Sequence, residues 1–127
     1  MKPVACDTGP ILHLQEAGLL ELLKKAGDIY IPAVVDIELM ELYPQWENKR
    51  PDWLLVKPLS PAETSQSELL SASGLLDLGE AAAIILSKRL NATWLLTDDT
   101  ETSLWISKAI LSQAYKALDT IFEKDKK

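Results

Sequence analysis

The sequence predicts an α/β fold built on a central parallel sheet, and three observations predict it. Four short apolar runs, Val4-Ala5-Cys6, Ile29-Tyr30-Ile31, Leu54-Leu55-Val56 and Thr93-Trp94-Leu95-Leu96-Thr97, have the length of buried strands. The segments between them carry apolar residues at helical spacing, and strands alternating with helices mark a parallel sheet. The chain has 127 residues and shows no repeat, low-complexity segment or linker, so residues 1–127 read as one domain.

Each element follows from local chemistry. Val4-Ala5-Cys6 ends at Asp7, and Thr8-Gly9-Pro10 starts a helix, because proline is favoured in a first helical turn. Ile11, Leu12, Leu14 and then Leu19, Leu20, Leu22, Leu23 predict two short helices divided at Gly18. Gly27-Asp28 precedes the second strand, and Pro32 opens a helix with an apolar stripe of Val34, Val35, Leu39 and Leu42. Residues 43–53 are polar and aromatic, with Pro44 and Pro51, and read as a loop. The third strand stops before Pro58, and a weakly amphipathic helix runs from Pro61 to Ala72. Gly79 to Leu90, with Ala81, Ala82, Ala83, Ile84, Ile85 and Leu86, is apolar on most sides and reads as a buried helix. The fourth strand runs into Asp98-Asp99. Residues 100–127 have helical composition, including Trp105 and Ile106, and end in the charged segment Glu123-Lys124-Asp125-Lys126-Lys127.

Charge and composition narrow the function. The formal net charge of −6 argues against binding nucleic acid through a general basic surface. A nuclease with its carboxylates gathered around divalent metal remains compatible with it. Cys6 is the only cysteine, so no internal disulfide is possible, and one histidine with one cysteine cannot build an ordinary structural zinc site. No signal peptide and no apolar run of membrane length is read from the sequence, so a cytoplasmic location is expected. No Gly-x-Ser-x-Gly string and no phosphate-cradling glycine loop occurs.

In an open parallel sheet, sites form beyond the carboxyl ends of the strands. Asp7 and Asp98-Asp99 end two strands, while Glu38 and Glu80 lie near the starts of two helices that begin on the same edge. Three or four carboxylates can therefore converge in one cleft. Crowded carboxylates repel and hold protons unless a cation is present, and Mg²⁺ takes oxygen ligands of this kind. Such a metal lowers the pKa of bound water and steadies charge on a phosphodiester oxygen. The chemistry implied is hydrolysis of a nucleic-acid backbone with no covalent enzyme intermediate.

These motifs also resemble a family. Asp7-Thr8-Gly9-Pro10 is similar to the opening of PIN domains, Ile31-Pro32-Ala33-Val34-Val35 leading to Glu38-Leu39 to their second acidic motif, Leu78-Gly79-Glu80-Ala81 to their third, and Leu95-Leu96-Thr97-Asp98-Asp99 to their fourth. The match in order covers residues 4–99. The resemblance implies a three-layer α/β/α fold with a parallel sheet of four strands, or five, and an endoribonuclease using Mg²⁺ or Mn²⁺ on an RNA substrate. Asp7, Glu38, Glu80 and Asp99 take the acidic places, with Asp98 as the neighbouring alternative. Thr8 and Thr97 orient water or phosphate, and Lys88 and Arg89 meet RNA phosphate. Relatives of this size are often VapC-type toxins of toxin–antitoxin pairs, dimeric and silenced by a small antitoxin protein. After Asp99 this chain departs from the pattern: Thr100-Glu101-Thr102-Ser103 replaces a basic run, and no glycine follows, so the last strand is expected to be absent. A degenerate, non-catalytic PIN-like module for binding or oligomerisation is the alternative function.

Other readings compete at single positions. Asp7 can cap the helix that follows it. Glu38 can be a solvated residue; Asp36 lies about 200° away on a helix and faces elsewhere, and Glu41, about 300° on, is its substitute. Glu80 suits a first turn for dipole reasons, and Asp77 is a weaker site candidate. Asp98-Asp99 can form a turn and cap. Trp46 and Trp53, flanking Asn48-Lys49-Arg50, offer either RNA stacking or core packing. A receiver-like phosphoacceptor domain would need an acid after the middle strand, where Lys57-Pro58 stands instead.

Overall fold

The computed structural model describes residues 2–72, 74 and 76–97, and the backbone of 105–106. Its strands are β1 (Pro3–Cys6), β2 (Asp28–Pro32), β3 (Leu54–Lys57), β4 (Trp94–Leu96) and β5 (Trp105–Ile106). The helices are α1 (Thr8–Glu16), α2 (Ala33–Leu42), α3 (Trp46–Lys49), α4 (Pro61–Ala72) and α5 (Leu78–Leu90). The strands form one sheet in the order β3-β2-β1-β4-β5, with β1 to β4 parallel.

Alternation along β1 decides the layers. Val4 and Cys6 point into a core with Ile29, Ile31, Leu54 and Leu96, which α1 and α2 cover through Ile11, Val35 and Leu39. Ala5 points to the other face and packs with Leu95 against Ala83 and Ala92. Small side chains there let α5 lie close to β1. Helix α4 packs outside α5 through Leu70, Ala81 and Ile85. The result is a three-layer α/β/α arrangement, as the alternation of elements requires.

Connections obey local rules. A Cβ on Gly27, at φ 146°, would collide with the carbonyl oxygen of Lys2, while the Asp28 N–H donates to that same oxygen at 3.0 Å. Only glycine lets β2 enter beside β1 there. Helix α4 opens with a reciprocal capping box: the Glu63 N–H donates to Ser60 Oγ at 3.1 Å and the Ser60 N–H to Glu63 Oε1 at 2.8 Å. Helix α5 closes at Asn91, whose φ of 50° is left-handed and tolerable for asparagine.

Four expectations need correction. Residues Leu20–Lys25 form a short 3-10 helix between two positive-φ glycines, Gly18 and Gly27, the kind of connector in which 3-10 turns are common. Leu42 is not part of the buried stripe of α2 but 57% exposed, at the helix's last residue. The 43–53 segment is not all loop, since α3 interrupts it. Trp46 there is fully buried and donates Nε1–H to Asp36 Oδ1 at 2.8 Å, which removes it from any stacking surface. Trp53 also packs against the core. Finally, Trp105–Ile106 form a strand rather than helix, pairing antiparallel with β4. Aromatic and β-branched residues favour that pairing once an open sheet edge is beside them. Residues 98–104 and 107–127 lie outside the described set.

Candidate metal centre at the carboxyl edge of the sheet

The site is assembled where β1 ends and where α2 and α5 approach the same sheet edge. Asp7 follows β1, and its N–H donates to the Leu96 carbonyl at 2.9 Å, so the backbone there is pinned to β4. Its position is that of the N-cap of α1, yet its side chain makes no capping hydrogen bond. The capping reading of Asp7 therefore fails.

Two of the three acids on helix α2, Asp36 and Glu38, have different fates. Asp36 is buried and accepts from Trp46 Nε1 and from Arg50 Nη1, the latter reaching both carboxylate oxygens at 2.8 Å. Glu38, on a different face, reaches the α5 side. Asp77 is the N-cap of α5, and its Oδ1 accepts the Glu80 N–H at 2.8 Å.

Gly79 is the hub of this geometry. A Cβ built on it would stand 3.0 Å from Glu38 Oε2, 3.1 Å from Asp7 Oδ1 and 3.5 Å from Asp77 Oδ1. Three carboxylates from three elements thus crowd the bare face of one glycine. Asp7, Asp77 and Glu80 each offer an oxygen within 4.8 Å of the others. Gly79→Ala is expected to weaken Mn²⁺ binding at least about 10-fold by pushing Glu38 and Asp7 apart. The gain in helix propensity, about 1 kcal/mol, holds the thermal midpoint near the parent value. Calorimetric Mn²⁺ titration beside a melting curve checks it, and unchanged affinity would refute the hub role.

The electrostatics match a site waiting for positive charge. Burial pushes the Asp7 carboxyl up to about 7; the Thr8 backbone N–H opposes this, and the charges of Asp77, Glu80 and Glu38 add to it. Burial and the Asp77 and Glu41 charges likewise raise Glu38, against the Thr8 hydroxyl, which favours its ionised form. Thr8 Oγ1 faces this carboxylate without a formed bond: it is buried and has no hydrogen-bond partner among the described residues. An orphaned hydroxyl beside crowded carboxylates has a place for a water or phosphate oxygen.

The donor set fits a hard divalent cation, being all carboxylate oxygen with a hydroxyl alongside. Cys6 plays no part, since it is fully buried and burial pushes its thiol far above the usual range.

Of the sequence-predicted residues, Asp7, Glu38 and Glu80 meet here. Thr97 directly follows β4, beside the strand that ends at Asp7. Asp98 and Asp99 lie outside the described residues. Lys88 and Arg89 are in the last turn of α5, about 12 Å along the axis from Glu80, away from the carboxylates. Arg89 ion-pairs with Glu63 at 3.3 Å and donates to the Pro58 carbonyl at 3.1 Å, tying the end of α5 to the start of α4. Asp77, the weaker candidate by sequence, joins them here; its Asp-x-x-Glu spacing to Glu80 is the capping signal that places it at the head of α5.

No described helix is long and apolar enough to cross a membrane. A family model described as PIN domain matches residues 3–109. Neither the curated proteins nor the solved structures gave a match to the chain.

Proposed function

Because the chain belongs to the PIN-domain family, whose members are generally metal-dependent nucleases, we propose that it is an endoribonuclease that hydrolyses RNA phosphodiesters with Mg²⁺ or Mn²⁺. The observation that carries this reading is the meeting of Asp7, Asp77 and Glu80 oxygens within 4.8 Å of one another, with Glu38 against the same glycine. Asp7, Glu38 and Glu80 hold the metal, with Asp99, or its neighbour Asp98, as the further acid. These residues would hold a divalent ion, which would lower the pKa of a bound water and offset charge on the scissile phosphate. Asp7 sets the position of the site, since its backbone is locked between β1 and β4. Glu38, which shares the bare face of Gly79 with Asp7, would hold the metal and orient water bound there. Thr8 and Thr97 orient water or phosphate, while Lys88 and Arg89 reach RNA phosphates away from the cleavage point.

The physiological role we propose is that of a toxin of a toxin–antitoxin pair, paired with a small antitoxin protein and with a second copy of itself. Leu19, Leu22, Ile37 and Leu42 are each about half exposed and supply apolar surface for such contacts. Sedimentation velocity reads the dimer, and a monomer at micromolar concentration would remove that part.

Cleavage of mixed RNAs in Mn²⁺ tests the central claim. Products are expected with Mn²⁺ and none with EDTA or with Asp7→Asn. Cleavage that persists in both controls belongs to a contaminant, and absence of cleavage favours the non-catalytic module.

A further inference from the structure

Asp77 occupies an unusual place for a helix cap. Its Oδ1 already satisfies the Glu80 N–H. An N-cap needs only that one acceptor, and asparagine or serine supplies it as well as aspartate does. At this position the neutral residues would avoid a second problem. Asp77 stands with Asp7 and Glu80, an oxygen of each within 4.8 Å of the others, and its Oδ1 shares the bare face of Gly79 with Glu38 Oε2. A negative charge among three others is an unfavourable choice for a residue that only caps. It becomes favourable when a cation sits between them.

We propose that Asp77 is a direct metal ligand as well as a cap, its carboxylate held by the first turn of α5 within reach of the Asp7 and Glu80 oxygens. The proposal rests on the metal-dependent nuclease reading and adds to it a carboxylate outside the four acidic motifs. Two observations carry it independently. Asp77, Asp7 and Glu80 each have an oxygen within 4.8 Å of the other two. Thr8, next to Asp7 in the chain and 95% buried, has a hydroxyl oxygen with no hydrogen-bond partner among the described residues, the mark of a pocket built around something polar. The cap also explains how a partly flexible side chain is held ready. The Glu80 N–H fixes the Asp77 carboxylate, so little side-chain freedom is lost when metal arrives.

The two roles separate by substitution in the full chain. Asp77→Asn and Asp77→Ser keep a capping acceptor and lose the charge, whereas Asp77→Ala loses both. Mn²⁺ binding is read by calorimetry on each, and folding by melting in EDTA. A ligand role predicts that Asp77→Asn and Asp77→Ser melt at or above the parent temperature in EDTA while Mn²⁺ affinity falls at least about 10-fold, as metal-site substitutions commonly do. A cap alone predicts the reverse pattern: Mn²⁺ affinity within twofold of the parent for both, with only Asp77→Ala losing stability. That result overturns the proposal and leaves the nuclease reading standing. Failure of the parent protein itself to bind Mn²⁺ overturns both.

Discussion

Asp7→Asn is expected to abolish metal-dependent cleavage and, in EDTA, to make the protein more stable. The two effects have one cause. Asp7 is 5% exposed and surrounded by acids, so its folded-state carboxyl holds its proton up to about 7. Below the ordinary carboxylate range, folded and unfolded chains are both protonated and Asp7 costs nothing. Between that range and about 7 the unfolded chain has released the proton and the folded one has not, so stability falls as pH rises. Above about 7 the full cost is present, about 4 kcal/mol for a displacement of this size. Asparagine carries no charge, so the variant should melt higher at pH 8 without metal and show little gain at pH 4. Mn²⁺ should raise the parent's midpoint more at pH 8 than at pH 5.5, because ligands must be deprotonated to bind. Loss of a ligand worth several kcal/mol in the transition state reduces the rate about 1000-fold. An Asp7→Asn protein that melts lower than the parent at pH 8 in EDTA, or that cleaves with Mn²⁺ within about 10-fold of the parent's rate, would contradict this account.

The second large effect is expected at Trp46. This side chain is fully buried under α2 and is bonded to Asp36, which also holds Arg50. Trp46→Ala should cost about 3–5 kcal/mol, from lost burial and the cavity left behind. That is a large part of the 5–15 kcal/mol that holds an ordinary domain together. Trp46→Phe keeps most of the ring and loses only the hydrogen bond to a charged acceptor, about 1.5–3 kcal/mol. Urea unfolding followed by far-ultraviolet circular dichroism separates the two. Similar midpoints for Trp46→Ala and the parent would mean that α3 does not anchor α2, and the same experiment would then predict no effect on the position of Glu38.

The strands were legible because each is an apolar run bounded by a residue that cannot continue it. Pro58 stops β3, Gly27 precedes β2, and Asp7 terminates β1, so the runs and the observed strands agree within a residue or two. Helix α3 was hidden because four residues carry too little periodicity, and only the tertiary bond from Trp46 to Asp36 reveals why the chain turns there. Strand β5 was hidden for a related reason: a two-residue pairing is decided by the open edge of β4 rather than by its own sequence. At the site, Asp7, Glu38 and Glu80 could be placed on one edge from topology. Which acid would cap could not, since Asp7 and Asp77 both precede helices and both suit the role. Side-chain orientation decides it, as Asp77 turns to its helix while Asp7 does not. The gap left by Gly79 was equally invisible, because a missing side chain matters only when its neighbours are known.

The strand order has a consequence for synthesis of the chain. Strand β1 is made before the other described strands yet lies between β2 and β4, so one of its edges stays open until residues 94–96 leave the ribosome. Until then Asp7 lacks the Leu96 carbonyl that fixes its backbone, and before α5 emerges no Asp77 or Glu80 exists to complete the cluster. A nascent chain thus lacks the carboxylate cluster until α5 has emerged. The same interval leaves a bare apolar strand edge, which makes stalled or truncated products prone to stick to one another.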